Sequence, residues 1–361
     1  MLRRLFSLTL ISLSGFALQT SGFAAVPTSL GPTSASEAQI LWNDAQVEFE
    51  KAHYPEASLA LKRFVARYPG HPGFLEAHFL LGKTYLRLNQ PTEALPMLQH
   101  FVQAQRPNPA QVMAQLEMGE CLLQLKRFSE VLTLCLEIES NEKVLAQSHF
   151  TLPLSLTEIQ LQRLLIKASA LLGLGSVERA ESVLQGAQRK VSESSPSDKK
   201  GTLARLKLQI KLHSCAQFQM KHPMNEAQAK NLMDRRGVCL KEALLDWNEV
   251  LRLEVPTEAS RASQLIHQSF HDYLKACLTP PPPQLPPTER LQRQERKRYQ
   301  IELADYLLKT FEAQTQEALD LLLPFKPLAD SKSLPAFTQL SSQLQQLKAL
   351  QPLKTPHRKA E

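Results

Sequence analysis

The chain has 361 residues, 43% of them hydrophobic, with 42 Lys and Arg against 35 Asp and Glu for a formal charge of +7. That is enough apolar material for a sizeable core, and it excludes a disordered chain. Twelve glycines against abundant Leu, Ala, Gln and Glu, with no alternating runs of Val, Ile and Thr, predict an all-α fold.

Residues 1–24 read as a signal peptide. Arg3 and Arg4 supply the positive start, Leu5 to Leu18 an uncharged apolar run, and Gly22-Phe23-Ala24 the small-x-small cleavage pattern. The rival is a retained anchor, but the run is shorter than the roughly 20 residues that span a bilayer. No cysteine precedes Cys121, which argues against a lipid anchor. The expected location is therefore exported and soluble in a bacterial periplasm. Removing Arg3 and Arg4 lowers the formal charge from +7 to +5. The positive clusters at Arg290 to Arg298 and Lys354 to Lys359 would then meet anionic lipid or acidic proteins before nucleic acid, so a weak membrane contact is considered and no nucleic-acid partner is expected. Residues 25–36, rich in Pro, Thr and Ser, are expected to form a flexible lead-in.

Repeated hairpins occupy residues 37–191. Ala45 precedes Ala57 by twelve positions, as Gly82 precedes Ala94 and Gly119 precedes Val131. Ala57, Ala94 and Val131 follow one another at 37 residues. The small residues let two helices approach, and the large ones at helical spacing fill the space beside them. A fourth unit, offset by an insertion around Asn141 to Ser155, pairs Ala168 with Ala180. Hairpin turns are predicted near Ala52–Tyr54, Leu88–Pro91, Leu125–Arg127 and Gly173–Ser176.

Ser192 to Lys200 reads as a polar boundary loop. A helical region over 201–279 follows, with helices predicted at Thr202–Met220, Asn225–Leu253 and Thr257–Leu278. Residues 280–287 form a Pro-rich linker and 288–351 further helices, at Thr288–Leu323 and Leu334–Leu350. Residues 352–361 are a basic tail.

Tyr54-Pro55-Glu56-Ala57, Tyr68-Pro69-Gly70-His71-Pro72 and Leu81-Gly82-Lys83-Thr84-Tyr85 resemble the tetratricopeptide domains of bacterial envelope proteins. Two such proteins are similar in pattern: the periplasmic coordinator of the Tol-Pal system and the helical lipoprotein of the outer-membrane β-barrel assembly machinery. The chain departs from both, lacking a lipid-bearing cysteine and an N-terminal coiled coil. The resemblance implies a tetratricopeptide-repeat solenoid whose first helices line a concave groove. By the family register Trp42, Gln46, Phe79, Lys83, Leu116 and Glu120 face that groove. The implied function is a non-enzymatic scaffold that binds a protein partner of the cell envelope.

The chemical motifs are weak. Gly82-Lys83-Thr84 resembles the end of a phosphate loop, but Ala77 stands where a glycine is needed. His267 and His271 share a helical face, but Gln268 replaces the Glu of a zinc helix, so no metal and no cofactor is expected. An envelope-glycan-processing enzyme on a helical scaffold is the alternative, and it requires converging carboxylates in a cleft. Of the five cysteines, Cys121 and Cys135 fall within repeat helices. Cys215 and Cys239 can lie at similar height on a folded-back hairpin and are the disulfide candidates. A Cys239–Cys277 bridge and three free thiols remain open.

Overall fold

The computed structural model describes residues 32–105, 108–147, 155–220 and 226–278, together with Arg298. Every regular element among them is a helix: α1 (Pro32–Glu50), α2 (Tyr54–Arg67), α3 (Phe74–Arg87), α4 (Pro91–Ala104), α5 (Pro109–Gln124), α6 (Phe128–Ala146), α7 (Leu156–Gly173), α8 (Val177–Gln188), α9 (Ser197–Ala216), α10 (Glu226–Arg252) and α11 (Pro256–Leu278). The fold is the expected all-α, tetratricopeptide-like repeat solenoid. The chain separates into two compact units, the first ending at Ala77 and the second beginning at His78.

Two helix starts differ from expectation. α1 begins at Pro32, inside the stretch expected as a lead-in over 25–36, because Pro is pre-set for a first helical turn. α9 likewise begins at Ser197, just after Pro196, within the expected polar loop. The predicted helices at Thr288–Leu323 and Leu334–Leu350, like residues 1–24, the Pro-rich linker and the basic tail, lie outside the described residues, apart from Arg298.

The four hairpin turns share one geometry. Ala52, Asn89, Lys126 and Gly175 each take a positive φ, between 57° and 74°. The residue after each donates its N–H back across the helix end: His53 to the Glu48 carbonyl, Gln90 to Tyr85, Arg127 to Leu122 and Ser176 to Leu171. The positive-φ residues themselves donate to Phe49, Leu86, Leu123 and Leu172. This paired pattern satisfies carbonyls that a helix end would otherwise leave open. Only the last turn uses glycine, the residue that adopts positive φ without a steric cost.

In the first unit, α1 and α2 form a hairpin with Ala45 and Ala57 fully buried. Trp42 packs on Phe64 with ring centroids 5.3 Å apart, and His71 meets the same Phe64 edge-on at 5.0 Å. In the second unit, a Cβ on Gly82 would lie 2.7 Å from Leu98 Cγ, so α3 and α4 meet at that glycine. Gly119 acts differently from its expected role within a hairpin. A Cβ there would stand 3.0 Å from Ile166 on α7 and 3.9 Å from Leu134 on α6, so the close approach joins neighbouring repeats. α6 runs six residues into the expected insertion, and the extension carries Glu142, which receives two hydrogen bonds from the buried Arg163 of α7 at 2.8 and 3.1 Å.

α9 belongs to two cores. Leu203 and Leu206 join Leu161, Leu165 and Leu184 of α7 and α8. Leu208 and Leu212 join Met233, Leu244 and Trp247 of α10 and Ile266, Phe270 and Tyr273 of α11. The second core is tied by Cys215 and Cys239, whose sulfurs are bonded with Cα atoms 5.5 Å apart. Cys239 therefore has no bond to offer Cys277. Trp247 donates to Ser263 Oγ at 3.2 Å and Tyr273 to the Met233 carbonyl at 3.1 Å, so both buried rings place their polar atoms.

Candidate functional site

Within the second unit, α5, α7 and α9 each turn a polar stripe toward one cavity of about 530 Å³, Arg87 at the end of α3 adds a guanidinium, and the start of α11 closes its wall. The stripes follow from helical spacing: Glu120 and Gln124 on α5, Gln162 and Ser169 on α7, Thr202 and Arg205 on α9. Because Gly119 lets α7 come close, the Glu120 carboxylate reaches across to accept from Gln162 Nε2 at 3.0 Å. At the other wall Arg205 donates to Glu258, whose second oxygen accepts from Arg261 at 3.1 Å. Arg205 and Glu258 are 12% and 7% exposed as side chains, so this is a shielded ion pair that fixes the start of α11 against α9.

Electrostatics near the cavity are mixed. Burial pushes the Glu117 carboxyl up from its ordinary range, and neighbouring Glu120 adds to the shift. Lys83, Arg87 and Lys199 act in the opposite sense. Arg87 and Gln124 stand exposed at the rim. The surface thus offers guanidinium, ammonium, carboxylate and amide groups along a path crossing successive helices. That arrangement suits a chain with repeated polar groups better than one small apolar ligand.

The six positions expected to face a groove divide. Glu120 lines the cavity. Lys83 lies 5.4 Å above the Phe79 ring, and Phe79 itself stacks on Phe101 of α4 at 5.1 Å. Gln46 is half-buried on α1. Trp42 and Leu116 are corrected: they are 6% and 0% exposed, so they are core residues with no face for a partner. Register alone identifies which helix a residue belongs to, whereas large apolar side chains turn into the nearest core. Sequence reasoning missed Gln162, Arg205 and Glu258. Their meeting depends on how α9 and α11 pack, which no repeat spacing encodes.

Lys83 and Thr84 lie within α3, where Thr84 Oγ1 donates to the Leu80 carbonyl at 2.7 Å as an ordinary helical hydroxyl. His271 faces solvent beside Asp272, and the side chain of His267 lies outside the described residues. Among the described residues, no group of three or more His, Cys, Asp and Glu is placed to hold a metal, and no helix is long and apolar enough to cross a membrane. The Cys121 and Cys135 thiols are buried and pushed up to about 11, with Cys121 donating to the Pro91 carbonyl at 2.9 Å. Neither is a ready nucleophile.

A family model described as tetratricopeptide repeat matches residues 44–99 and 79–138. No curated protein matches the sequence. Among solved structures, the crystal structure of a Rap protein complexed with competence and sporulation factor is similar at 11% identity and a TM-score of 0.40, over 89% of this chain and 77% of that one.

Proposed function

We propose that the protein is a non-enzymatic scaffold of the bacterial cell envelope, exported and then soluble, which holds a polypeptide segment of a protein partner in the cavity between α3, α5, α7 and α9. The observation that carries this reading is the polar path itself: α3, α5, α7 and α9 in turn present Arg87, Glu120, Gln124, Gln162 and Thr202 to one hollow. Repeated donors and acceptors at helix spacing match the repeated amides and side chains of a polypeptide. Export is supported by the leader-like residues 1–24 and by the Cys215–Cys239 bond, a linkage that persists in oxidising compartments. Work beside the Tol-Pal or barrel-assembly machineries belongs to the same proposal.

The glycan-processing alternative fares worse. It needs one carboxylic acid to donate a proton and a second carboxylate free to act as base or nucleophile. Both oxygens of Glu258 are held by guanidinium groups, Glu120 accepts from Gln162, and Asp198 pairs with Lys199 at 3.3 Å.

The test places a photo-crosslinking residue at Gln124 on the cavity rim or at Leu136, exposed on α6, in the full chain in its host. A discrete protein adduct is expected from position 124 in the periplasmic fraction, lost on Arg87→Glu and absent from position 136. Equal adducts from both positions, or none from 124, would overturn the reading. Recovery of the chain from the cytoplasm with residues 1–24 intact would overturn its envelope half.

A further inference from the structure

α9 carries four stripes. At 100° per residue, Leu203, Leu206 and Ile210 face one core and Ala204, Leu208 and Leu212 the other. Asp198, Thr202 and Arg205 line the cavity described above. Lys207, Lys211 and Ser214 lie roughly half a helical turn away from them, on the opposite side. There α8, α9 and α10 bound a second, open cleft of about 670 Å³, with Leu184 and Ile210 at its base.

This cleft differs from the first in what its side chains already do. In the first cavity Glu120, Gln162, Arg205, Glu258 and Arg261 are bonded to one another. In the second, Lys211 pairs with Glu242 at 2.5 Å. Gln185, Gln188, Arg189, Lys207 and Asp246 make no side-chain hydrogen bond or ion pair among the described residues. Burial pushes the Asp246 carboxyl up, with Lys211 and Lys207 opposing the shift and Glu249 and Glu242 adding to it. A half-buried carboxylate that accepts no hydrogen bond is incompletely satisfied, even with Lys211 and Lys207 acting on it from a distance.

We propose that this cleft docks an amphipathic helix of a protein partner, with a basic residue opposite Asp246 and an acidic residue opposite Arg189 and Lys207. The occupant's secondary structure follows from the walls. They are helices whose backbone groups bond internally, so an extended guest would find no ladder for its own amides. A helical guest satisfies its backbone itself and can set an apolar ridge on Leu184 and Ile210. The charges then fix orientation. Since the cleft and the first cavity lie on opposite sides of α9, the chain can hold two partners at once.

The experiment uses the full oxidised chain and two labelled helical peptides that share a leucine ridge. They differ at one residue, Lys in one and Glu in the other, at the position designed to meet Asp246. Fluorescence anisotropy is expected to show about fivefold tighter binding of the Lys peptide, the scale of one partly exposed ion pair. Asp246→Asn is expected to erase that preference while Arg87→Glu, at the first cavity, leaves it unchanged. Circular dichroism of both variants controls for folding. Absence of binding, equal affinity of the two peptides, or a preference that survives Asp246→Asn would overturn the proposal. Loss of the preference on Arg87→Glu alone would place the peptide in the first cavity and overturn it equally.

Discussion

The repeats from α3 to α8 and the block from α9 to α11 solve the same packing problem by different means. In the repeats, small residues bring backbones together at Gly82 and Gly119, and matched turns at Asn89, Lys126 and Gly175 return the chain. In the block, one large buried cluster around Trp247 and Tyr273 does the work, reinforced by the Cys215–Cys239 bond and the Arg205–Glu258 pair. Repetition distributes stability over many modest local interfaces, so that no single one dominates. A unique cluster concentrates it, and the block should respond more sharply to single changes.

Trp247→Ala is the strongest way to test that contrast. Loss of a side chain 1% exposed, together with its bond to Ser263, is expected to cost about 3–5 kcal/mol. Amide hydrogen exchange should rise in α9–α11 while α3–α6 keep their protection. Uniform loss across the second unit would show that the two regions unfold as one. Reducing the Cys215–Cys239 bond, 24 residues apart, is expected to cost roughly 3 kcal/mol by loop entropy. The midpoint of urea unfolding with and without reductant measures it, and a Cys215→Ser/Cys239→Ser variant should be insensitive to reductant.

On the repeat side, Gly82→Leu is expected to destabilise by about 1–3 kcal/mol, since even a Cβ meets Leu98 too closely. Leu98→Ala in the same chain should recover part of the loss. Unchanged stability in Gly82→Leu would contradict the α3–α4 packing. Smaller still, and opposite in sign, Lys126→Gly should stabilise by roughly 0.5–1 kcal/mol by relieving a positive φ, and thermal melting would show it. Glu254, with φ of 53° between α10 and α11, takes the same left-handed backbone conformation in the block, so Glu254→Gly should behave alike. Asn89→Gly should gain less, because Asn tolerates this region.

The smallest effect concerns Glu117. Its carboxyl is raised in the folded state, so folding favours the protonated form. The resulting penalty is absent at pH below the unfolded-state carboxylate range and grows as pH rises through the folded value. Glu117→Gln should therefore melt slightly above the wild type at neutral pH, with the gap closing on acidification. A gap that widens in acid would reverse the assignment.

Repeat geometry was legible in the sequence because it is local arithmetic. The twelve-residue interval from Gly82 to Ala94 locates a helix contact, and the 37-residue period locates Ala52, Asn89 and Lys126 at turns. The site was legible only through Glu120. Trp42 and Leu116 occupy positions on first helices, but burial of their apolar area outweighs any register preference. The ion pair between Arg205 and Glu258 spans 53 residues of chain that obey no period, so nothing short of the packed cluster brings them together. Gly173 reads in sequence as a turn residue, yet a Cβ there would run into the Phe128 ring at 2.5 Å. A glycine's tertiary duty leaves no trace in its neighbours.

The four stripes of α9 bear on how freely this chain can vary. Helices such as α2, α4 and α6 keep a solvent side where residues can be exchanged at little cost. α9 has two sides committed to cores and two that border hollows, so most substitutions along it disturb something. In a saturation scan, Thr202 to Leu208 should form an unbroken run of intolerant positions when selection includes binding. Under selection for folding alone, tolerance should return at Thr202 and Lys207, while Arg205 stays constrained by its shielded pair with Glu258.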